Sequence, residues 1–274
     1  MKYIDIRSLH YKSQKNILKK KFGEDITSFF SQPYTFLKSR LYIEISSILV
    51  FFLMRTSISP NSVTLFYCFI SFIGGVFIAS NDNNLILIGL LIFFFKSSID
   101  WADGLLARIK KQTSNLGELL DEWGAYIGSF SFLSGFGVYI FNKENDLSYL
   151  FILLAILILR SLDIKNYFYQ TQLAKLINNE RSIIKMAEKS SIQNKYKNIP
   201  NILIKLKNLI INTFDDRARS VDLICFLIFL DTFYIEITLL KYIFFLLAFK
   251  YAVLFIGSFY LIYFKDYIKR LNIK

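Results

Sequence analysis

Proline is scarce in this chain, with 3 residues among 274, so few helices are forced to break. Cysteine is scarcer still at 2 residues, and there is 1 histidine. Cys68 and Cys225 each lie inside an apolar run. With His10 they fall short of the ligand count of a familiar zinc site, and they read as small packed side chains. No leader with a cleavage site is visible, because strong hydrophobicity begins only near Ile48. Acidic residues are the minority, 21 against 33 Lys and Arg, for a formal net charge of +12. Such an excess raises nucleic acid as a partner. No recognition motif accompanies it, and the basic residues gather at the chain ends and in alternate loops. That distribution argues against nucleic acid and for a membrane with anionic lipid.

What the chain has in abundance is apolar surface: 54% hydrophobic and 18% aromatic residues, including 29 Phe. Runs of 17 or more apolar residues read as membrane spans, since about 20 helical residues cross the hydrocarbon layer. Six spans are expected, near 63–80, 85–100, 121–141, 147–159, 221–237 and 241–264. Residues 1–39 read as a polar, basic segment in which His10 is solvated, and 40–55 as a helix lying in the interface. Pro60 pushes Ser59 out of helical geometry, so Asn61 or Ser62 is expected to cap the first span. A long basic segment, about 163–220, separates the fourth and fifth spans, and its stretch Ile199–Phe214 reads as amphipathic and surface-lying. The expected organisation is a basic N-terminus (1–58), a six-helix membrane domain (59–264) and a basic tail (265–274). Loops that share the side of the termini hold 29 Lys and Arg, and the opposite set holds 2. Both termini and the 101–120 and 160–220 segments are therefore expected in the cytosol. The fold class is all-α, a polytopic membrane protein with about six transmembrane helices.

Chemistry concentrates in DWADGLLARIKKQTSNLGELLD, residues 100–121. Asp100 and Asp103, at i and i+3, share one helix face at the end of an apolar segment, where ionisable groups are costly and usually functional. Gly104 removes a side chain and admits close approach to the backbone. Ala107 and Arg108 follow one turn later, and Gly117 and Asp121 open the next span. Three carboxylates at one membrane boundary suit hard divalent cations such as Mg²⁺. Arg108 suits a phosphate or the orienting of a carboxylate. The plainer alternative is a set of interfacial charges paired with lysines.

These residues resemble the signature of the CDP-alcohol phosphotransferase (CDP-alcohol phosphatidyltransferase) family, D-x2-D-G-x2-A-R-x8-G-x3-D-x3-D. Asp100, Asp103, Gly104, Ala107, Arg108, Gly117 and Asp121 occupy seven of its eight fixed positions. The stretch PNSVT (60–64) also looks like a family feature, and the resemblance covers about residues 40–264. It implies six helices around a polar cavity open to the cytosol. It further implies transfer of a substituted phosphoryl group from a CDP-linked donor to an alcohol acceptor, with release of CMP and use of two Mg²⁺ or Mn²⁺ ions. Asp100, Asp103 and Asp121 would hold the metals. Asp100, Gly104, Ala107, Arg108 and Gly117 would form the cofactor and nucleotide site. Membrane lipid is an implied partner, and a homodimer an implied assembly.

The sequence departs from the signature at its last position, which holds Ala125 in place of an acid. In the family that carboxylate is a metal ligand and the favoured general base. Glu118 lies at i−3 from Asp121, and Glu122 is rotated from it by about 100°; both are candidate catalytic bases. The departure keeps a rival open, a catalytically silent member that binds nucleotide or lipid. A small transporter is a third reading. Arg217 and Arg219 suit an acceptor phosphate or plain topology, Lys250 a cavity or an internal pair, and Gly124 with Gly128 a helix-packing notch.

Overall fold

The computed structural model describes residues 2–22, 33–162 and 219–265. Every regular element among the described residues is an α-helix: α1 Tyr3–Phe22, α2 Pro33–Leu53, α3 Pro60–Ile78, α4 Asn83–Ile109, α5 Asn115–Glu144, α6 Ser148–Ser161, α7 Arg219–Phe233 and α8 Leu239–Lys265. Four of the described helices contain stretches long and apolar enough to cross a membrane: α3, α4, α5 and, in α8, Leu239–Ile256. Over the other two expected spans the described helices are α6, with 14 residues, against the roughly 20 that a full crossing takes, and α7, with 15 residues counted from the first described residue of that stretch. The chain is a polytopic membrane protein, all-helical across the described residues. The amphipathic stretch Ile199–Phe214, Arg217 and tail residues 266–274 lie outside the described residues.

Helix boundaries follow local chemistry. Pro60 stands at the first position of α3, where a missing N–H costs nothing. The cap is Ser59, not Asn61 or Ser62: its hydroxyl accepts the Ser62 N–H at 3.2 Å. The Asp82 carboxylate caps α4 by accepting the Asn84 N–H at 2.7 Å. At the far end of α4, Lys111 takes a left-handed φ of 55°. The Gln112 N–H then reaches back to the Ala107 carbonyl at 2.9 Å, closing the helix in a Schellman-type turn. Ser114 begins α5 by accepting the Gly117 N–H at 3.0 Å. Asn145 leaves α5 at a φ of 51°, a conformation that asparagine tolerates better than most residues.

One compact unit comprises Met1–Gly74 and Ile88–Ser131. Its core gathers Ile6, Val50, Val63, Ala102, Leu105 and Leu106, so α1, α2 and α3 all pack on the motif-bearing end of α4. Two further bonds pin that end, because Lys110 Nζ donates to the carbonyls of Thr56 (2.9 Å) and Ile58 (2.7 Å). On α1, Arg7 forks onto both Glu44 oxygens of α2, and the hydroxyls of Tyr3 and Tyr11 donate to the same carboxylate. The guanidinium and phenol bonds hold the Glu44 carboxyl well below its usual range, at about 2.

The second unit comprises Gly75–Leu87 and Phe132–Lys274. There Asp231 of α7 accepts from Tyr139 Oη at 2.6 Å and from Lys143 Nζ, both on α5. Phe136 meets Phe244 edge-on at 5.6 Å. Arg160 donates to Tyr251 Oη at 2.6 Å, joining α6 to α8. Lys250 lies 5.4 Å from the Tyr251 ring.

His10 is corrected by this fold. It is fully buried at 0% exposure. Its Nδ1 faces the hydroxyls of Ser46 (3.1 Å) and Ser47 (3.4 Å), its Nε2 faces the Gln14 amide, and its ring meets Trp101 edge-on. Burial, helped by the Arg108 charge, pushes the imidazole down to about 4.

Candidate functional site

All motif residues lie within the first unit, on the last turns of α4 and the first turns of α5. Asp103 is buried and accepts a hydrogen bond from Thr64 Oγ1 at 2.5 Å. That contact explains PNSVT: Pro60 and Ser59 start α3 so that Thr64, one turn in, meets the second acidic residue of α4. Asp100 is half-buried, and its carboxyl lies within hydrogen-bond reach of Asp121 on α5. Two carboxyl groups at that reach need a proton or a cation between them.

The remaining motif residues divide between open and packed positions. A Cβ at Gly104 would meet only Arg108 Nη1, at 3.5 Å, so the backbone there is open to an approaching group. Ala107 is half-buried and Arg108 is exposed, with its charge felt at Asp103. Gly117 is more confined: a Cβ would stand 3.3 Å from both Asn61 Oδ1 and Ser114 Oγ. Glu118, Glu122 and Ala125 are all exposed, and the two glutamates act electrostatically on Asp121.

Three further residues stand beside the carboxylates, of which the sequence singles out only Thr64, within PNSVT. Thr64 holds Asp103, as described. Tyr67, one turn further along α3, is buried and senses the charges of Asp100, Asp121 and Asp103. Lys96, one turn before Asp100 on α4, is also buried. A lysine within an apolar run is itself a signal, and Lys96 carries it. Gly124 and Gly128 are packing positions in part, as expected: a Cβ at Gly124 would stand 2.9 Å from the Tyr67 ring.

Among the described residues, no group of three or more His, Cys, Asp or Glu is arranged to hold a metal ion as it stands, and Asp103 is engaged with Thr64. The Asp100–Asp121 pair nevertheless has the chemistry of a hard-cation site, with two oxygen-donor groups brought together from two helices.

No curated protein matches this chain. A family model does match, over residues 57–189, a stretch that begins just ahead of Ser59 and takes in every motif residue. The matched family is described as CDP-alcohol phosphatidyltransferase, a class that acts on CDP-alcohols in the membrane and generally depends on a divalent metal. Residues 57–189 of this chain thus match the model of the CDP-alcohol phosphatidyltransferase family, the family whose signature the motif resembles.

Proposed function

We propose that the protein transfers a substituted phosphoryl group from a CDP-linked donor to an alcohol acceptor, releasing CMP, in the synthesis of a phospholipid or its phosphodiester precursor. The observation that carries this reading is the meeting of Asp100 and Asp121, from two helices, beside Asp103. Asp100 and Asp121, with Asp103 beside them, would hold Mg²⁺ or Mn²⁺. When bound, the metal neutralises the pyrophosphate and stabilises the departing CMP.

The chain's own residues divide the remaining work. The open backbone at Gly104 admits the nucleotide, Ala107 lies along it, and the exposed Arg108 guanidinium pairs with its phosphate. Thr64 fixes the Asp103 carboxylate in one orientation. The acceptor oxygen forms its bond to the donor's distal phosphorus as the bond from that phosphorus to the CMP oxygen breaks. The hydroxyl proton passes to the carboxylate of Glu122 or Glu118, both exposed on α5 within a turn of Asp121.

Ala125 supports a second reading, in which the chain binds nucleotide or lipid without turnover. One experiment serves the parts common to both. In detergent, CDP binding by the purified protein is expected to require Mg²⁺ and to vanish on chelation or in Asp103→Asn. Unchanged CDP affinity after both treatments would reduce the motif to interfacial charges. CMP release from a panel of CDP-linked donors and alcohols then separates enzyme from silent member.

A further inference from the structure

Arg108, Lys110 and Lys111 read alike as a basic run at the end of α4, yet the fold sends them in different directions. Arg108 lies exposed beside Gly104, and Lys111 is exposed in the left-handed turn. Lys110 stands about 200° around the helix from Arg108, and its backbone N–H still bonds the Leu106 carbonyl at 2.8 Å. Its ammonium reaches back to the linker between α2 and α3. There Nζ donates to the carbonyls of Thr56 at 2.9 Å and Ile58 at 2.7 Å. Both carbonyls lie between the last residue of α2, Leu53, and the first of α3, Pro60. A charge that topology alone would assign to the headgroups is turned inward onto the chain.

We propose that Lys110 is a positioning residue: by holding the α2–α3 linker it sets how far α3 slides along α4, and so whether Thr64 meets Asp103. The inference rests on the reading under Proposed function. Ile58 leads directly into Ser59, the cap of α3, and Thr64 follows one turn into that helix. Thr64 Oγ1 donates to Asp103 at 2.5 Å. A slide by one residue's rise, about 1.5 Å, takes that hydroxyl out of hydrogen-bonding distance. The apolar cluster of Val63 with Ala102, Leu105 and Leu106 resists such a slide poorly, because burial has no direction. The two ammonium bonds do have direction, and they run from the end of α4 to the residues that begin α3. Lys110 thus acts on the Asp103 carboxylate through Thr64, without touching nucleotide or acceptor.

The experiment uses the full chain in lipid nanodiscs and reads both geometry and binding. Spin labels on Ser57→Cys and Thr113→Cys, in a chain freed of Cys68 and Cys225, report the span from linker to α4–α5 turn by dipolar electron paramagnetic resonance. The distance distribution is expected to broaden or shift in Lys110→Met and to recover in Lys110→Arg, whose guanidinium can bond both carbonyls. Mg²⁺-dependent CDP affinity is expected to fall on the order of tenfold in Lys110→Met and to return in Lys110→Arg. Two comparisons separate a tie from a surface charge. Lys110→Met with Gln112→Lys restores the charge within the same turn and is expected to stay weak. Thr64→Val alone is expected to bind as weakly as Thr64→Val with Lys110→Met, because the lysine acts through the threonine. Full CDP affinity or unaltered label distances in Lys110→Met would overturn the positioning role. So would rescue by Gln112→Lys, or losses that add in the Thr64 double variant. A wild type that binds no CDP with Mg²⁺ would instead bring down the reading under Proposed function, and the positioning role with it.

Discussion

At position 125 a methyl group stands on the same helix face as Asp121, exposed and one turn deeper along α5. An acid introduced there would project beside the Asp100–Asp121 pair. If the natural protein turns over slowly for want of this base, Ala125→Asp raises CMP release by a factor on the order of 10² or more. If Glu118 or Glu122 has taken the role, the wild type already turns over, Glu→Gln at the working position silences it, and Ala125→Asp adds little. Inactivity of wild type, Ala125→Asp and both Glu→Gln variants on every donor and acceptor, with CDP still bound, would establish the silent reading. The carboxylates were legible in the sequence because their spacing lies within two continuous helices, where i+3 and i+4 fix the face. Thr64 was legible only as part of PNSVT and Tyr67 not at all, because their proximity to the carboxylates depends on how α3 packs on α4. Lys96 carried a readable signal, but its position beside Gly128 is a tertiary fact.

At the scale of elements, α1 is what the sequence hid. Its described buried residues Ile6, His10 and Gln14 recur at every fourth position, yet two of the three are polar, so hydrophobic periodicity gives almost no trace. The partners that make a histidine acceptable there, Ser46 and Ser47, lie on another helix. Docking of α1 should therefore depend on pH in two stages. His10 has a folded value near 4 against an ordinary 6.5, so its neutral form is selected by docking. Its contribution is complete above about 6.5 and is lost as pH falls toward 4. Glu44, depressed to about 2 from 4.5, contributes fully above about 4.5 and loses that contribution as pH falls toward 2. The Arg7–Glu44 pair is substantially exposed, so this second stage is the weaker. Trp101 touches the His10 ring, and its fluorescence in a Trp123→Phe background should report the first stage between pH 6.5 and 4. His10→Asn should flatten that change and leave the lower one. A profile identical in both proteins would remove His10 as its origin.

Across the whole molecule, charge and apolar length speak to different questions. Apolar length made the helical membrane class readable, and α3, α4, α5 and α8 answer to it. It set the number of crossings less firmly, since α6, at 14 residues, is short for a bilayer on its own. Orientation rests on the distribution of Lys and Arg, 29 against 2 between the two loop sets. On that basis the α4–α5 turn, with Lys110 and Lys111, is predicted to lie in the cytosol, and the Asp82 and Asn145 turns outside. The prediction is testable in a chain freed of its two buried cysteines, Cys68 and Cys225. A membrane-impermeant maleimide applied to intact cells should modify Asn83→Cys or Asn145→Cys and spare Thr113→Cys until the membrane is opened. The consequence reaches the chemistry, because Arg108, Glu118 and Glu122 flank that turn and would meet a nucleotide only from its side. External labelling at Thr113→Cys would invert the chain, put the acidic motif on the face without cytosolic nucleotide, and leave the transfer reading without a donor.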